Sequence, residues 1–186
     1  MTQGLAASVM ARAYVLRGDV QYVNFAEKLI NGMLLPIHRN GALFVDNDNI
    51  WIEEYPAEKP PRHVLNGLVF ALLGIYDVYL ITRRNAYLSI FKRVCSTLER
   101  NIDLYDLLIF SRYDASPMRI ANASYHLLNT VLVYVIAKLS GSYKLLKVAN
   151  RWAIGCVFLS NNYIRRYADI AHKYVSTLIK ILKPTT

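Results

Sequence analysis

The chain of 186 residues contains 22 Lys plus Arg and 13 Asp plus Glu, which gives a formal net charge of +9 at pH 7. Apolar residues make up 54% of it and 14 residues are tyrosine, a composition that excludes a disordered protein. Two cysteines are too few for a disulfide framework, and no spacing of Cys and His resembles a metal site. The charge balance therefore indicates an acidic partner for a single globular domain.

Helical periodicity dominates the chain and predicts three consecutive helix pairs. The first helix runs up to Gly18, and Asp19 can cap the second helix, which Pro36 ends. The other predicted helices cover residues 64–81, 85–102, 122–139, 142–159 and 163–182. The fold class predicted from this pattern is all-α, built from helical hairpins.

A tyrosine follows the interhelical turn in each predicted pair, at Tyr22, Tyr87 and Tyr143. The recurrence indicates an internal repeat of one helix pair, because a single pair cannot bury its apolar face alone. The simplest role for these three tyrosines is packing of the second helix onto the first.

Two short segments between the helix pairs break the helical pattern. Residues 42–45 and 49–52 are apolar and β-like, and the polar residues 46–48 between them predict a small β-hairpin. Residues 107–113 are apolar and then abruptly polar, and they are not predicted to be helical. Loops and hairpins beside a helical array commonly carry function.

The longest uncharged run, residues 120–137, raises the question of a membrane span. It contains Asn122, Ser124, His126 and Asn129. These polar side chains are costly in hydrocarbon, so we predict a buried helix and no membrane span. Because Arg12 interrupts the apolar N-terminal stretch, we expect no secretory signal and, by default, a cytoplasmic protein.

Three short segments bring together groups that could carry chemistry: Glu53-Glu54-Tyr55-Pro56, Ser111-Arg112-Tyr113-Asp114 and Ser124-Tyr125-His126. In the first, Pro56 restricts Tyr55 to an extended conformation and so limits where its hydroxyl points. In the second, Arg112 can pair with a carboxylate and favour a nearby phenolate. In the third, the start of a helix favours anions. Taken singly, each segment also fits a structural role: a hairpin exit, a strand end, or a core tyrosine beside a surface histidine.

The order of these motifs along the chain resembles the C-terminal domain of D-glucuronyl C5-epimerases, which act on heparosan-type glycans. The matching segments are residues 53–56, 64–67 (Val-Leu-Asn-Gly), 74–77 (Gly-Ile-Tyr-Asp), 113–114, 125–126 and 151–152 (Arg-Trp). The resemblance covers about residues 4–152 of a single helical domain, 1–186, and leaves a helical extension at about 160–186. It implies that the helical hairpins form part of an (α/α) toroid with a small β-hairpin insertion.

The resemblance also implies a reaction, in which the C5 proton of a glucuronate unit is removed and another is returned to the opposite face. The acid/base candidates that it implies are Tyr55, Tyr113 and Tyr125. Its implied substrate-binding residues are Glu54, Asn66, Arg112 and His126. The expected partner is an anionic polysaccharide that contains uronic acid, and neither a metal nor an organic cofactor is expected. Since free tyrosine has a pKa near 10, a nearby cation such as Arg112 would be needed to favour the phenolate.

The chain departs from the animal enzymes at Ser116, where they carry an arginine three residues after the second tyrosine. Those enzymes also have a large N-terminal region. The chain could therefore be a compact variant, a subunit that needs a partner or a homo-oligomer, or a remnant without activity.

Other function classes fit the same sequence. The chain could be a non-catalytic glycan-binding module or a lyase. A hydrolase would use two carboxylates, such as Glu53 or Glu54 with Asp114. Nucleic acid is a weaker candidate partner, because the basic residues are dispersed and no recognition motif is present.

Overall fold

The structure, a computed structural model, describes residues 1–57 and 59–157. The described elements are α1 (Thr2–Arg17), α2 (Val20–Met33), β1 (Leu43–Asp46), β2 (Asn49–Ile52), α3 (Leu65–Thr82), α4 (Asn85–Asn101), β3 (Asp106–Leu107), β4 (Phe110–Ser111), α5 (Ala123–Ser140) and α6 (Tyr143–Val157). The all-α prediction and the predicted small antiparallel hairpin are confirmed, and the described residues also contain a second, shorter hairpin, β3–β4. The predicted helix at 163–182 and the extension at 160–186 lie outside the described residues.

The chain divides into two compact units, the first from Met1 to Arg100 and the second beginning at Asn101. That the chain forms a single domain, and that its helix pairs close into a toroid, remain predictions.

Local capping chemistry sets the helix ends where the sequence predicted them. Gly18 has a left-handed φ of 71° and its N–H donates to the Tyr14 carbonyl, which ends α1. The Asp19 carboxylate then accepts the Gln21 N–H at 2.8 Å and caps α2. The start of α5 is fixed in the same way, because the Asn122 side chain accepts the Tyr125 N–H at 3.0 Å.

Helix α3 is the core of the first unit, and α1 packs closely against it. A Cβ on Gly4 would lie 2.6 Å from the Phe70 carbonyl oxygen, and one on Gly74 would lie 2.7 Å from the Gly4 Cα. The two backbones therefore meet directly at this crossing. A 2.8 Å ion pair between Arg12 and the buried Asp77 also joins the two helices.

Helix α3 is long and apolar enough to cross a membrane by length and composition alone, but 72% of its 18-residue window is buried inside the protein. Burial of this kind is typical of the core helix of a globular protein. The uncharged run at 120–137 also falls mostly within a helix, α5, whose buried residues include Leu132 and Ile136.

The predicted hairpin is present, with β1 and β2 antiparallel and Leu43 opposite Ile52. Its turn is one residue shorter than predicted, because Asp46 pairs with Asn49 and leaves only two residues between the strands. Helix α4 anchors the hairpin, since the Ile50 N–H donates to Thr97 Oγ1 at 2.9 Å.

The second unit combines the α5–α6 pair with the short β3–β4 hairpin. The Asp106 carboxylate accepts Trp152 Nε1–H at 2.9 Å and also bonds the Arg151 guanidinium. Arg151 further donates to the Leu108 carbonyl at 2.8 Å. One carboxylate and one arginine thus fasten the hairpin to α6.

The tyrosines at the interhelical turns do not share one packing role. Tyr87 is buried, and its hydroxyl donates to Glu27 and Asn31 of α2. Tyr143, in contrast, is 77% exposed. The packing prediction is wrong there because Tyr143 is the first residue of α6, and Leu145 takes the buried position instead.

The crossing of α1 and α3 makes Gly74→Ala a test of the fold. The added methyl meets the backbone of Gly4, which cannot move aside as a flexible side chain could, so we expect a loss of about 1–3 kcal/mol in the free energy of unfolding. Gly32→Ala is the control, because its Cβ would have only one ordinary contact, at 3.7 Å from Gln3 Nε2. That change should stabilise the protein by up to about 1 kcal/mol. Urea unfolding of both variants measures the difference, and equal effects would contradict the close crossing.

Candidate active site

The candidate residues form two sets, one in each compact unit. Glu54, Tyr55 and Asn66 belong to the first unit, whereas Arg112, Tyr113, Tyr125 and His126 belong to the second. The geometry within each set indicates what each side chain is able to contact.

Tyr55 lies in the loop that follows β2 and is 38% exposed. The Arg62 guanidinium carbon lies 4.8 Å from the centroid of its ring, a cation–π contact that pins the ring and places positive charge beside it. The contact of Arg62 with Tyr55 was not predicted, because nothing in the local sequence pattern shows that two loop residues seven positions apart meet.

The Glu54 carboxylate packs against the first turn of α3. A Cβ on Gly67 would lie 2.5 Å from Glu54 Oε2, so the missing side chain at Gly67 makes room for the carboxylate. Glu54 Oε2 is buried, and within the described part of the chain it has no hydrogen-bond partner. The adjacent helix N-terminus favours a negative charge at this position.

Asn66 is the neighbour of Gly67 in the same turn and is only 3% exposed. Its Oδ1 is a buried acceptor for which the described residues supply no donor. An amide oxygen in this state is available to a donor from outside, such as a hydroxyl group. The predicted substrate contact of Asn66 stays a prediction.

Tyr113 and Tyr125 lie side by side in the second unit. Their ring centroids are 4.7 Å apart with an interplanar angle of 76°, which is an edge-to-face pair. Tyr125 is 38% exposed and sits in the first turn of α5, two residues after the start of the helix. The structure therefore brings together two of the three sequence-predicted acid/base residues.

His126 is a buried residue with both ring nitrogens bonded inside the protein. Nδ1 accepts the Ser111 backbone N–H at 3.0 Å, and Nε2 lies 3.2 Å from the Trp152 carbonyl oxygen. Because a carbonyl only accepts, Nε2 carries the proton and the ring is neutral. Burial lowers the pKa of His126 below its ordinary value of 6.5, against the opposing effect of the hydrogen bond to Trp152.

The structural role considered for this segment was a core tyrosine beside a surface histidine. The structure shows the opposite, since His126 is 1% exposed and Tyr125 is the exposed neighbour. Asn129, one turn further along α5, donates to the Arg112 carbonyl at 3.1 Å and to Ser111 Oγ at 3.3 Å. His126 and Asn129 therefore hold the strand end that leads into Tyr113. A contact between His126 and substrate stays a prediction.

Two arginines flank Tyr113, and they point to different partners. Arg112 Nη1 donates to the Leu104 carbonyl at 3.4 Å, and its Nε is buried without a hydrogen-bond partner among the described residues. Arg119 is brought back to Tyr113 by the turn, since the Tyr113 N–H donates to the Arg119 carbonyl at 2.9 Å. Its guanidinium is 54% exposed and lies 3.8 Å from the fully buried carboxylate of Asp114. Arg119 was not predicted to lie near Tyr113, because the two residues are six positions apart in a segment without a regular pattern.

Among residues 1–57 and 59–157, no group of three or more His, Cys, Asp or Glu side chains is placed to hold a metal ion. Two of the three carboxylates named for a hydrolase, Glu53 and Asp114, are engaged within the protein. Glu53 is 3% exposed and bonded to His63, while Asp114 is fully buried and accepts the Ser116 N–H at 3.0 Å.

Comparison with known proteins places this arrangement in a family. A family profile described as the D-glucuronyl C5-epimerase C-terminus matches residues 1–154. The chain therefore belongs to the family of D-glucuronyl C5-epimerase C-terminal domains, and the resemblance predicted from the motifs is confirmed.

Two relatives illustrate the match. An uncharacterised protein of Methanocaldococcus jannaschii is 30% identical over 144 residues, which cover 75% of this chain and 46% of that protein. A D-glucuronyl C5-epimerase of Caenorhabditis elegans is 27% identical over 170 residues, or 82% of this chain and 27% of that protein. The chain thus spans less than half the length of either relative.

The buried neutral imidazole of His126 predicts a specific pH dependence of stability. Above pH 6.5 the ring is neutral in the folded and the unfolded chain, so its contribution is fully present. As the pH falls below 6.5, the unfolded chain takes up a proton that the folded one does not, and the free energy of unfolding falls by at most about 1.4 kcal/mol per pH unit.

Denaturant unfolding at a series of pH values measures this slope in the wild type and in His126→Gln. The variant should lose less stability on acidification, and His38→Gln, which removes a histidine that is not buried, should behave as the wild type does. Parallel curves for the wild type and His126→Gln would contradict the assignment.

Proposed function

We propose that this domain inverts C5 of glucuronate units in an anionic polysaccharide, with tyrosine side chains removing and returning the proton. Membership of the epimerase C-terminal family supports the reaction class. The observation that carries the mechanism is the contact between Tyr113 and Tyr125, because two phenol groups meet where the second and third motifs of the family come together.

The reaction needs only proton transfers. A base removes the C5 proton, and the electron pair left on C5 is delocalised into the adjacent carboxylate. An acid then returns a proton to the opposite face, which restores the C–H bond with inverted configuration. No electron is gained or lost overall, so the balance calls for no oxidant, and the protein has to supply two acid/base groups and stabilise the developing charge.

The tyrosine pair limits which residues can supply the acid and the base for the two faces of the sugar. Rings in edge contact at 4.7 Å leave no room for a sugar ring between them, so a bound uronate would lie beside the pair. In this proposal Tyr113 and Tyr125 act together on one face of the sugar. The group for the other face would then be a residue outside this pair, and Tyr55 is the third acid/base candidate that the family resemblance implies.

Arg119 is the cation that we assign to the substrate carboxylate. The Arg119 carbonyl accepts the Tyr113 N–H, and its exposed guanidinium lies 3.8 Å from the buried carboxylate of Asp114, which leaves the guanidinium open to a ligand. Arg112, the cation expected from the sequence, is turned toward the Leu104 carbonyl instead.

The substrate class follows from the charge and the family together. A polysaccharide of uronic acids carries a carboxylate on each uronate unit, which complements a protein with a net charge of +9. A glycan-binding module without activity is the alternative, and the two differ in whether C5 exchanges its proton.

Incubation with heparosan in heavy water tests the reaction. We expect the protein to place deuterium at C5, and Tyr113→Phe and Tyr125→Phe each to lower the exchange rate about 10²-fold or more, because each removes only a hydroxyl. Tyr134→Phe is the matched control, since Tyr134 is a similarly exposed tyrosine on the same helix, at 39%. NMR of the recovered glycan measures exchange, and circular dichroism checks folding.

The outcomes separate the hypotheses. If the protein binds heparosan without exchange, while a family enzyme run alongside exchanges the same glycan, the epimerase proposal fails and the binding module without activity is supported. Exchange that persists in both tyrosine variants would remove the assignment of the pair.

Replacing Arg119 tests the proposed carboxylate contact. Arg119→Gln removes the charge but keeps a polar side chain, and we expect kcat/KM for C5 exchange to fall about 10- to 100-fold because the cation stabilises charge that grows in the transition state. Lys138→Gln removes one positive charge from α5 and serves as the control for long-range electrostatics. Equal losses in the two variants would show that only overall charge matters.

A further inference from the structure

We propose that Glu53 and His63 act as a latch that closes the loop between them and thereby positions Tyr55. The proposal rests on the proposed function for the meaning of Tyr55, but the latch itself is a feature of the fold that can be measured separately. The loop carries Glu54 and Tyr55 at one end and Arg62 at the other.

Glu53 bonds to His63 through both carboxylate oxygens. Its Oε2 accepts the His63 backbone N–H at 3.0 Å, and its Oε1 bonds the imidazole Nδ1. Only 1% of the Glu53 side chain is exposed, so the carboxylate has exchanged water for these two partners. A buried carboxylate requires such pairing, and loss of either partner would leave it unpaired.

The β1–β2 hairpin supplies a rigid base for the latch. The His63 ring stacks on the Trp51 indole with centroids 4.1 Å apart and an interplanar angle of 19°. It also contacts Phe44, which pairs with Trp51 across the two strands. Because Trp51 is 3% exposed, the ring is fixed from the core side, and the end of the loop is tied to the hairpin from which the loop departs.

The backbone of His63 adopts a conformation that needs support from its surroundings. His63 has a φ of 50°, in the left-handed region that residues other than Gly and Asn seldom adopt. A residue in this conformation has to be held by its surroundings. The bonds to Glu53 and the stack on Trp51 are interactions of the side chain that can provide this support.

The latch residues directly adjoin the groups that would act on substrate. Glu54 and Tyr55 follow Glu53, and Arg62 precedes His63, so closing the latch brings Arg62 over the Tyr55 ring at 4.8 Å. Opening it would separate the two ends of the loop and release Tyr55 from this contact. Glu53 and His63 are therefore positioning residues, whereas Tyr55 is the residue that would meet the sugar.

Cleavage by trypsin measures the latch without reference to activity. Arg62 is the one site in this loop that trypsin can use, because the only other basic residue, Lys59, precedes a proline. We expect Glu53→Ala and His63→Asn to raise the rate of cleavage after Arg62 at least about tenfold, since local opening becomes frequent. Asparagine tolerates a left-handed φ, so His63→Asn removes the ring without a new backbone penalty.

Two controls accompany these variants. His38→Asn makes the same substitution elsewhere in the first unit and should leave cleavage after Arg62 unchanged. Glu53→Gln should keep the loop largely closed, because its amide can accept the His63 N–H and donate to the imidazole. Mass spectrometry identifies the cut site, and the circular dichroism spectrum shows whether each variant remains folded.

Kinetics of C5 exchange then test the link to Tyr55. Misplacing an acid/base group affects the chemical step more than binding, so His63→Asn should lower kcat on the order of 10²-fold with a much smaller change in KM. Glu53→Ala should lower kcat as well, whereas Glu53→Gln, which can keep both contacts with His63, should retain most of the wild-type kcat. A general loss of stability would not explain that difference.

Each result decides one part of the proposal. Unchanged cleavage after Arg62 in folded Glu53→Ala and His63→Asn would overturn the latch. Faster cleavage with undiminished kcat would overturn its positioning role. Faster cleavage in a protein whose wild type exchanges no C5 proton would support the latch and reject the proposed function instead.

Discussion

The irregular segments of the structure depend on the pairing of three polar groups that are largely removed from water. Glu53 closes the loop after the first hairpin, Asp106 fastens the second hairpin, and His126 holds the strand end before Tyr113. Each is bonded to a backbone group or to a side chain from a distant part of the sequence. The cost of leaving any of them unpaired is larger than the net gain from a typical hydrogen bond, so these contacts specify one loop conformation.

The elements that were predicted correctly are those whose causes are local. Gly18 ends a helix because it takes a left-handed φ, and Asp19 starts the next because its carboxylate reaches a backbone N–H two residues away. The hairpin followed in the same way from two β-like runs around polar residues. The family resemblance also rested on short motifs whose order along the chain can be read directly.

The parts that could not be predicted depend on contacts across the chain. The bonds of Asp106 join residues 45 and 46 positions apart, and no periodicity points to them. Helix α5 is apolar on most of its surface, so its pattern does not say that His126 faces inward and Tyr125 outward. The return of the Arg119 backbone to Tyr113 was not predicted either, because the turn is closed by a hydrogen bond between residues six positions apart.

The Asp106 carboxylate makes the second hairpin part of a larger cooperative unit. A two-stranded hairpin as short as β3–β4 is not stable alone in water. Here a single carboxylate bonds both an indole and a guanidinium of α6, and Gly155 lets that helix lie directly against the Ile109 carbonyl. The hairpin and α6 therefore open together rather than one after the other. The stability of α6 then sets how well the backbone amides before Tyr113, which are not part of that helix, are protected from hydrogen exchange with solvent.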